Sequence, residues 1–241
     1  MFSTYQWVNR IYEFNQYERD QWVANRAREI PGGSRVLDAG AGSCPYRSLF
    51  AHCDYRTQDF AQLDSDQLRG QRGYGGIDYV CDICNIPEES GTFDVVLCTE
   101  VLEHVAEPIR AVGEFARLLK PGGKLLLTAP LGSGLHQEPY HFYGGFTPQW
   151  YRKFLTEAGF EQIVVEANGG FFKHFGQESI RFAKILAPWQ GLRQGLFIRL
   201  PFWLIFLPFA VIIPIWAYWG DSLDRKKAFT VGYHITGVRC P

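Results

Sequence analysis

The chain has 241 residues and carries 24 Lys and Arg against 25 Asp and Glu, a net charge of −1 that excludes a case for nucleic-acid binding. Its length allows one α/β domain with a sizeable core plus an appendage. Six cysteines with no secretory signal peptide ahead of them predict a reducing, cytoplasmic setting, and Cys81-x-x-Cys84 is a lone pair without a second at zinc spacing, so no metal site is expected.

Residues Tyr5 to Ile30 place Trp7, Ile11, Phe14, Tyr17 and Trp22 at helical spacing and stop at Pro31-Gly32-Gly33, which predicts an N-terminal helical cap over 1–33. It would cover a sheet or roof a ligand. Arg35 to Asp38 then reads as a buried strand, Ala39-Gly40-Ala41-Gly42-Ser43-Cys44 as a tight turn, and Tyr46 to Phe50 as a helix start. Such a turn lets backbone approach a ligand where a Cβ would collide, and a helix start presents unpaired N–H groups. Asp59 closes a second strand, Tyr55 to Asp59, about 20 residues past the turn, where a carboxylate accepts from ribose hydroxyls. Asp38 stands two residues before the first glycine, Pro45 takes the place of a third dinucleotide-type glycine, and no phosphate-binding lysine follows. A ligand with an amino-acid end and no phosphates fits this turn.

A polar, glycine-rich passage from Leu63 to Gly76 predicts a loop, and Ile77 to Asp82 a third strand. Phe93 to Cys98 is the apolar run of a central parallel strand, followed by Thr99-Glu100-Val101-Leu102-Glu103-His104-Val105 and a helix from about Pro108 to Leu119. Lys124 to Ala129 makes a fifth strand, Thr147-Pro148 opens another helix that ends at Gly159, Phe160 to Ala167 a sixth strand, and the alternation of Phe229 to Thr236 a half-buried seventh.

The glycine turn, Phe-Asp-Val-Val at 93–96, Glu-Val-Leu-Glu-His at 100–104 and Leu-Leu-Lys-Pro-Gly-Gly at 118–123 together resemble the class I S-adenosylmethionine-dependent methyltransferases, within their small-molecule, type 11-like group. The likeness runs from about Arg35 to Ala167, with Cys44 standing where the last glycine of the first motif usually lies. The resemblance implies a Rossmann-like seven-stranded sheet with helices on both faces, and S-adenosylmethionine as cofactor. It implies that Asp38, Gly40, Gly42 and Asp59 form the cofactor site, that Asp82 with Ile83 meets the adenine, and that Glu100 holds the ammonium or another polar group. Beside that implication, a carboxylate at Asp82 also reads as a turn cap, and Glu103-His104 as a helix-start pair satisfying backbone N–H groups.

In an open α/β sheet the ligand lies beyond the carboxyl ends of the strands. The loop after the fifth strand, Leu135-His136-Gln137-Glu138-Pro139-Tyr140-His141-Phe142-Tyr143, has glycines on both sides and reads as a lid. His136 and His141 are the candidate general bases for a hydroxyl acceptor, with Glu138 orienting one of them; the alternative is that they tie the loop down.

Leu200 to Trp219 is 20 residues without a formal charge, interrupted by Pro201, Pro208 and Pro214. Its eleven Leu, Ile, Val and Phe residues favour insertion into a bilayer by roughly 3 to 7 kcal/mol. Between Phe171 and Lys227 eight basic residues face three acidic ones, so this stretch carries +5 and the remainder −6. Because a strand lies on each side, an apolar helical insert between strands 6 and 7 is expected to dip into one leaflet as a hairpin bent at its prolines, or to form a buried layer or a homodimer interface. The organisation expected is 1–33 cap, 34–170 cofactor-binding core, 171–227 insert and 228–241 returning strand. The reading is methyl transfer to a small, lipid-soluble or lipid-linked acceptor by a protein peripheral or monotopic at the inner face of a membrane. Its alternative is a non-catalytic cofactor-binding scaffold or sensor that uses the insert to dimerise.

Overall fold

A computed structural model describes residues 4–71, 73–188 and 196–241, so Arg193 of the basic segment lies outside the described residues. Seven strands form one sheet: β1 (Arg35–Ala39), β2 (Asp54–Asp59), β3 (Tyr79–Val80), β4 (Phe93–Thr99), β5 (Leu119–Pro130), β6 (Phe160–Ala167) and β7 (Gly232–Arg239). Their order is β3-β2-β1-β4-β5-β7-β6. The pairs from β3 through β5 are parallel, and β7 runs antiparallel to β5 from Lys124↔Val238 to Pro130↔Gly232. Strand order reverses between β1 and β4, which opens a crevice beyond their carboxyl ends.

The helices are α1 (Thr4–Tyr12), α2 (Phe14–Arg28), α3 (Pro108–Leu118), α4 (Pro148–Glu157), α5 (Phe171–Leu186) and α6 (Leu196–Gly220). The chain divides into two compact units, Asp20–Glu166 with Gly232–Pro241, and Met1–Arg19 with Ala167–Val231. In the first unit Trp22, Val23, Ala27 and Ile30 are buried in one cluster with Val36, Val95, Leu97 and Leu126 of the sheet. Helix α3 buries Ala111, Val112, Phe115 and Leu118, the 3.6-period stripe its sequence dictates. Helix α4 starts as expected, the Thr147 hydroxyl accepting from Trp150 N at 3.3 Å with Pro148 in its first turn.

In the second unit α5 and α6 pack antiparallel, Phe182 against Phe206 near one end and Gly176 against Pro214 and Ala217 near the other. The start of α5 has no capping side chain of its own. Both carboxylate oxygens of buried Asp221, just past α6, accept from Gly170 N at 3.0 Å, and Asp224 accepts from Phe171 N at 2.8 Å. The two helices are thus fastened at one end.

Several sequence expectations change. The helix expected from Tyr46 shrinks to a 3-10 turn, Arg47–Phe50, because β2 resumes at Asp54 and leaves no room for a longer one. The third strand shrinks from Ile77–Asp82 to Tyr79–Val80, since the Asp78 carboxylate is drawn to Thr57 N and Oγ1, both at 2.9 Å. Strand β7 starts at Gly232 instead of Phe229 and buries consecutive residues, because it lies between β5 and β6; His234 stacks on Trp22 with ring centroids 5.1 Å apart. Pro201, Pro208 and Pro214 sit inside one continuous 25-residue helix and mark no hairpin bend. The antiparallel partner is α5.

Candidate active site

The turn after β1 is pinned from β2. Gly40 N and Ala41 N both donate to the Gln58 carbonyl at 2.9 Å, and Gly42 N donates to Asp59 Oδ2 at 2.9 Å. Gly40 and Gly42 take φ of 74° and 52°, the left-handed region in which a side chain is strained. A Cβ on Gly40 would meet a Val101 methyl at 2.4 Å. Asp59 is buried, and its other oxygen accepts from Ala61 N at 2.9 Å. Burial pushes its carboxyl up, against the pull of the N–H groups of Ala61 and Gly42.

Beside this turn lies a cavity of about 450 Å³, lined among others by Gly40, Gln58, Phe60, Asp82, Ile83 and His104. A pocket of this size with apolar walls and a few polar groups suits a nucleoside-sized ligand. Asp82 remains exposed, with Oδ1 accepting from Cys84 N at 2.9 Å, so it caps its turn while lining the cavity. The chain beyond it is held by Glu114, whose carboxylate accepts from Ile86 N at 2.8 Å and pairs with Arg117 at 2.7 Å.

Four of the residues expected at the cofactor, Asp38, Gly42, Asp59 and Glu100, are not among those lining this cavity. Asp38 is 1% exposed and accepts from the Tyr55 hydroxyl, and burial pushes its carboxyl up to about 7 despite that bond. Asp59 acts on the turn through Gly42, as described. Glu100, at φ 53°, accepts from the Thr128 hydroxyl at 2.8 Å, an anchor between the ends of β4 and β5. The 3-10 turn at Arg47 is too short to serve as the helix start expected to face a ligand.

The loop after β5 folds back on the Leu102–His104 turn, where the Glu103 carbonyl accepts from Phe142 N at 2.9 Å and Tyr143 N at 3.1 Å. This clamp gathers His104, His136 and His141, with ring centroids 4.7, 5.6 and 4.6 Å apart in the three pairs. His104 Nδ1 lies 2.9 Å from the Tyr140 carbonyl and His136 Nδ1 2.8 Å from the Gly134 carbonyl; a carbonyl only accepts, so in both rings Nδ1 carries the proton. Burial pushes the His104 imidazole down to about 4. His141 Nε2 is 3.1 Å from Ser133 Oγ, and burial and then His136 lower its pKa. Glu138 was expected to orient one histidine. The rings of His136, His104 and His141 meet the carbonyls of Gly134 and Tyr140 and the hydroxyl of Ser133, while the exposed Glu138 acts on His141 through its charge, which favours the protonated imidazole, and its carbonyl accepts from Gln67 Nε2 at 3.3 Å.

Sequence reasoning passed over His104 as a member of this group, and Gln58, Phe60, Gln62 and Tyr140 as cavity lining. For His104 the signal was present, since Glu-Val-Leu-Glu-His directly follows the central strand.

A seven-stranded sheet with an antiparallel β7, a glycine turn after β1 and a cavity at the strand-order reversal defines the Rossmann-like methyltransferase fold. Residues 37–127 match the family model described as a methyltransferase domain. The chain is 31% identical over 231 residues to an uncharacterized methyltransferase of Mycobacterium sp. (strain JLS), covering 90% of this chain and 80% of that one. The chain therefore belongs to the S-adenosylmethionine-dependent methyltransferases. It is 38% identical over 110 residues to a ubiquinone biosynthesis O-methyltransferase of Xanthomonas oryzae pv. oryzae, 42% of this chain and 45% of that one. It spans about half the length of the curated relatives that head the comparison. Phosphoethanolamine N-methyltransferase 2 of Haemonchus contortus, solved with S-adenosyl-L-methionine, shares the fold at a TM-score of 0.52 and 18% identity, covering 100% of this chain and 61% of that one.

The residues present fit the family's methyl donor. Gly40 and Val101 approach too closely for a Cβ between them, Ile83, Phe60 and Val80 supply apolar surface for a purine, and Asp82 and Gln62 supply polar atoms.

Proposed function

We propose that this protein transfers a methyl group from S-adenosylmethionine to a small, lipid-soluble or lipid-linked acceptor that it meets at a membrane surface. The donor supplies an electrophilic methyl on a sulfonium, and positive charge disappears as that methyl moves. The chain's own residues then have three tasks: holding the donor at Gly40, Asp82 and Ile83, excluding water with the loop clamped on Glu103, and accepting a proton from a hydroxyl acceptor. His136 and His141 stand on that loop beside His104, and a well-placed base contributes about 10²- to 10⁴-fold.

One observation carries the membrane part. Within Arg199–Leu223 an 18-residue window has a mean hydropathy of 2.2, yet only 17% of that window is buried, unlike the core helix of a soluble protein. Phe202, Ile205, Phe209, Ile212, Trp216 and Trp219 are all more than half exposed. A contiguous apolar face of this kind marks an interaction surface. Trp216, Trp219 and the Arg225-Lys226-Lys227 run gather at the Asp221 end of the pair, the arrangement that suits headgroup depth with anionic lipid nearby. Since β6 and β7 are neighbours in one sheet, the α5–α6 pair leaves and returns on the same side. The reading is therefore monotopic association. Relatives named for ubiquinone biosynthesis support an acceptor that partitions into lipid.

Flotation of the purified protein with vesicles containing anionic lipid tests this. Co-flotation that weakens but persists in high salt is expected, because both apolar burial and charge contribute. A stable dimer that stays with the aqueous phase would assign the face to a second copy of the chain.

A further inference from the structure

We propose that Glu103, His104 and His136 form a binding site for a divalent transition-metal ion on the wall of the donor cavity, with one position open to an oxygen of the methyl acceptor. The acceptor part rests on the methyl-transfer reading above; the metal part does not.

The argument begins with protons. Each of the two imidazoles gives its Nδ1–H to a backbone carbonyl, Tyr140 for His104 and Gly134 for His136, which leaves Nε2 of each as an electron-pair donor. This is how metal-binding histidines are usually held, the far nitrogen fixing tautomer and ring direction. The rings meet edge to face with centroids 4.7 Å apart, and one donor atom from each of Glu103, His104 and His136 lies within 4.8 Å of the others. Glu103 Oε1 is 3.8 Å from His104 Nε2, on a side chain only 2% exposed. Two nitrogen lone pairs and a carboxylate brought together in this way invite a cation between them.

The donor set selects the kind of cation. Two imidazoles and one carboxylate with an open place suit zinc and its first-row neighbours, while magnesium and calcium prefer oxygen alone. With bonds of about 2.0–2.1 Å, tetrahedral donors sit roughly 3.3 Å apart, so the three groups must close by up to about 1.5 Å. His136 is exposed and follows Gly132, Ser133 and Gly134 on the loop, where such a movement meets little packing. Glu103 and His104 are the fixed side of the site.

Because His104 and Tyr140 also line the donor cavity, the open position faces the space where methyl transfer takes place. It selects an acceptor with a hydroxyl acidic enough to bind as the anion, a phenol above all. With the ion in place the Nε2 lone pair of His136 is a ligand and no longer a base, so the hydroxyl proton passes to water as oxygen binds. An oxygen lone pair then forms the new bond to the methyl carbon, and the electrons of the broken S–C bond leave with sulfur as a neutral thioether.

The test is titration of metal-stripped full-length protein with Zn²⁺ by calorimetry and with Co²⁺ by visible absorption. One ion per chain is expected, with tetrahedral cobalt bands and no sulfur-to-cobalt charge-transfer band, and Zn²⁺ affinity at least about 10-fold lower in His136→Ala. His136 is exposed, so that variant folds; Glu103→Gln tests the buried carboxylate in the same way. A thiolate band, no stoichiometric binding, or equal affinity in His136→Ala would overturn the site. S-adenosylmethionine titrated in parallel keeps the two claims apart. Donor binding without an ion at the histidines overturns the metal site alone, whereas an ion at the histidines of a protein that ignores the donor supports the site and overturns the transfer reading.

Discussion

The Tyr55 hydroxyl donates to the carboxylate of Asp38, so the acidic residue that precedes the glycine turn is buried with its carboxylate engaged by the neighbouring strand. Burial raises the Asp38 carboxyl to about 7, the Tyr55 bond opposing the rise and Asp59 adding to it. Since this folded value lies above the ordinary carboxyl value of 3.8, the stability Asp38 contributes is fully present below that pH and is lost as the pH rises through about 7. Asp38→Asn keeps an acceptor for Tyr55 and removes the titration. Denaturant unfolding of both proteins should show the stability of the wild type, relative to the variant, falling by about 2–3 kcal/mol between pH 5 and pH 8. Parallel pH profiles would contradict this.

Asp82 and Asp59 should separate by phenotype. Asp82 is exposed on the cavity wall, so Asp82→Ala should weaken S-adenosylmethionine binding by about 1–2 kcal/mol with little change in Tm. Asp59 staples Gly42 and Ala61, so Asp59→Ala should lose both donor affinity and about 1–3 kcal/mol of stability. Calorimetry with thermal unfolding distinguishes the pair; an Asp59→Ala protein of normal stability would remove the staple.

The α5–α6 pair should depend on its remote cap. Asp221→Ala leaves the N–H groups of Gly170 and Lys173 without their acceptor, each now at 3.0 Å, and should cost about 1–3 kcal/mol. A loss below about 0.5 kcal/mol by chemical denaturation would mean that water replaces the carboxylate.

That cap also explains what could be read in the sequence. Strands β1, β4 and β6 were legible almost to the residue because short apolar runs between turn signals admit few alternatives. Helix α5 was not, since Gly170 is a silent N-terminus and the capping carboxylate arrives 51 residues later. The turn after β1 is legible from Gly40 and Gly42, whereas the hydrogen bond that engages Asp38 depends on Tyr55, 17 residues away on the neighbouring strand. His104 acquires its chemistry from the Tyr140 carbonyl, across 36 residues of chain. Local pattern carries strands and turns; contacts closed by the tertiary fold decide side-chain roles.

On the loop, binding and turnover should come apart. His136→Ala and His141→Ala should bind S-adenosylmethionine as the wild type does, while kcat falls at least about 10²-fold in one of them. Single-turnover kinetics with a hydroxyl acceptor provides the check. Wild-type kcat in both variants would leave alignment and exclusion of water as the whole of the mechanism.

The most direct test of a membrane-resting methyltransferase is transfer of radiolabelled methyl from S-adenosylmethionine in the presence of membranes from the producing cell, followed by partition into organic solvent. Label should enter the organic phase, in proportion to membrane supplied, and should be lost with Gly40→Val, whose side chain collides with Val101. A wild-type protein that binds the donor yet places label only in the aqueous phase, or in neither, would contradict the account.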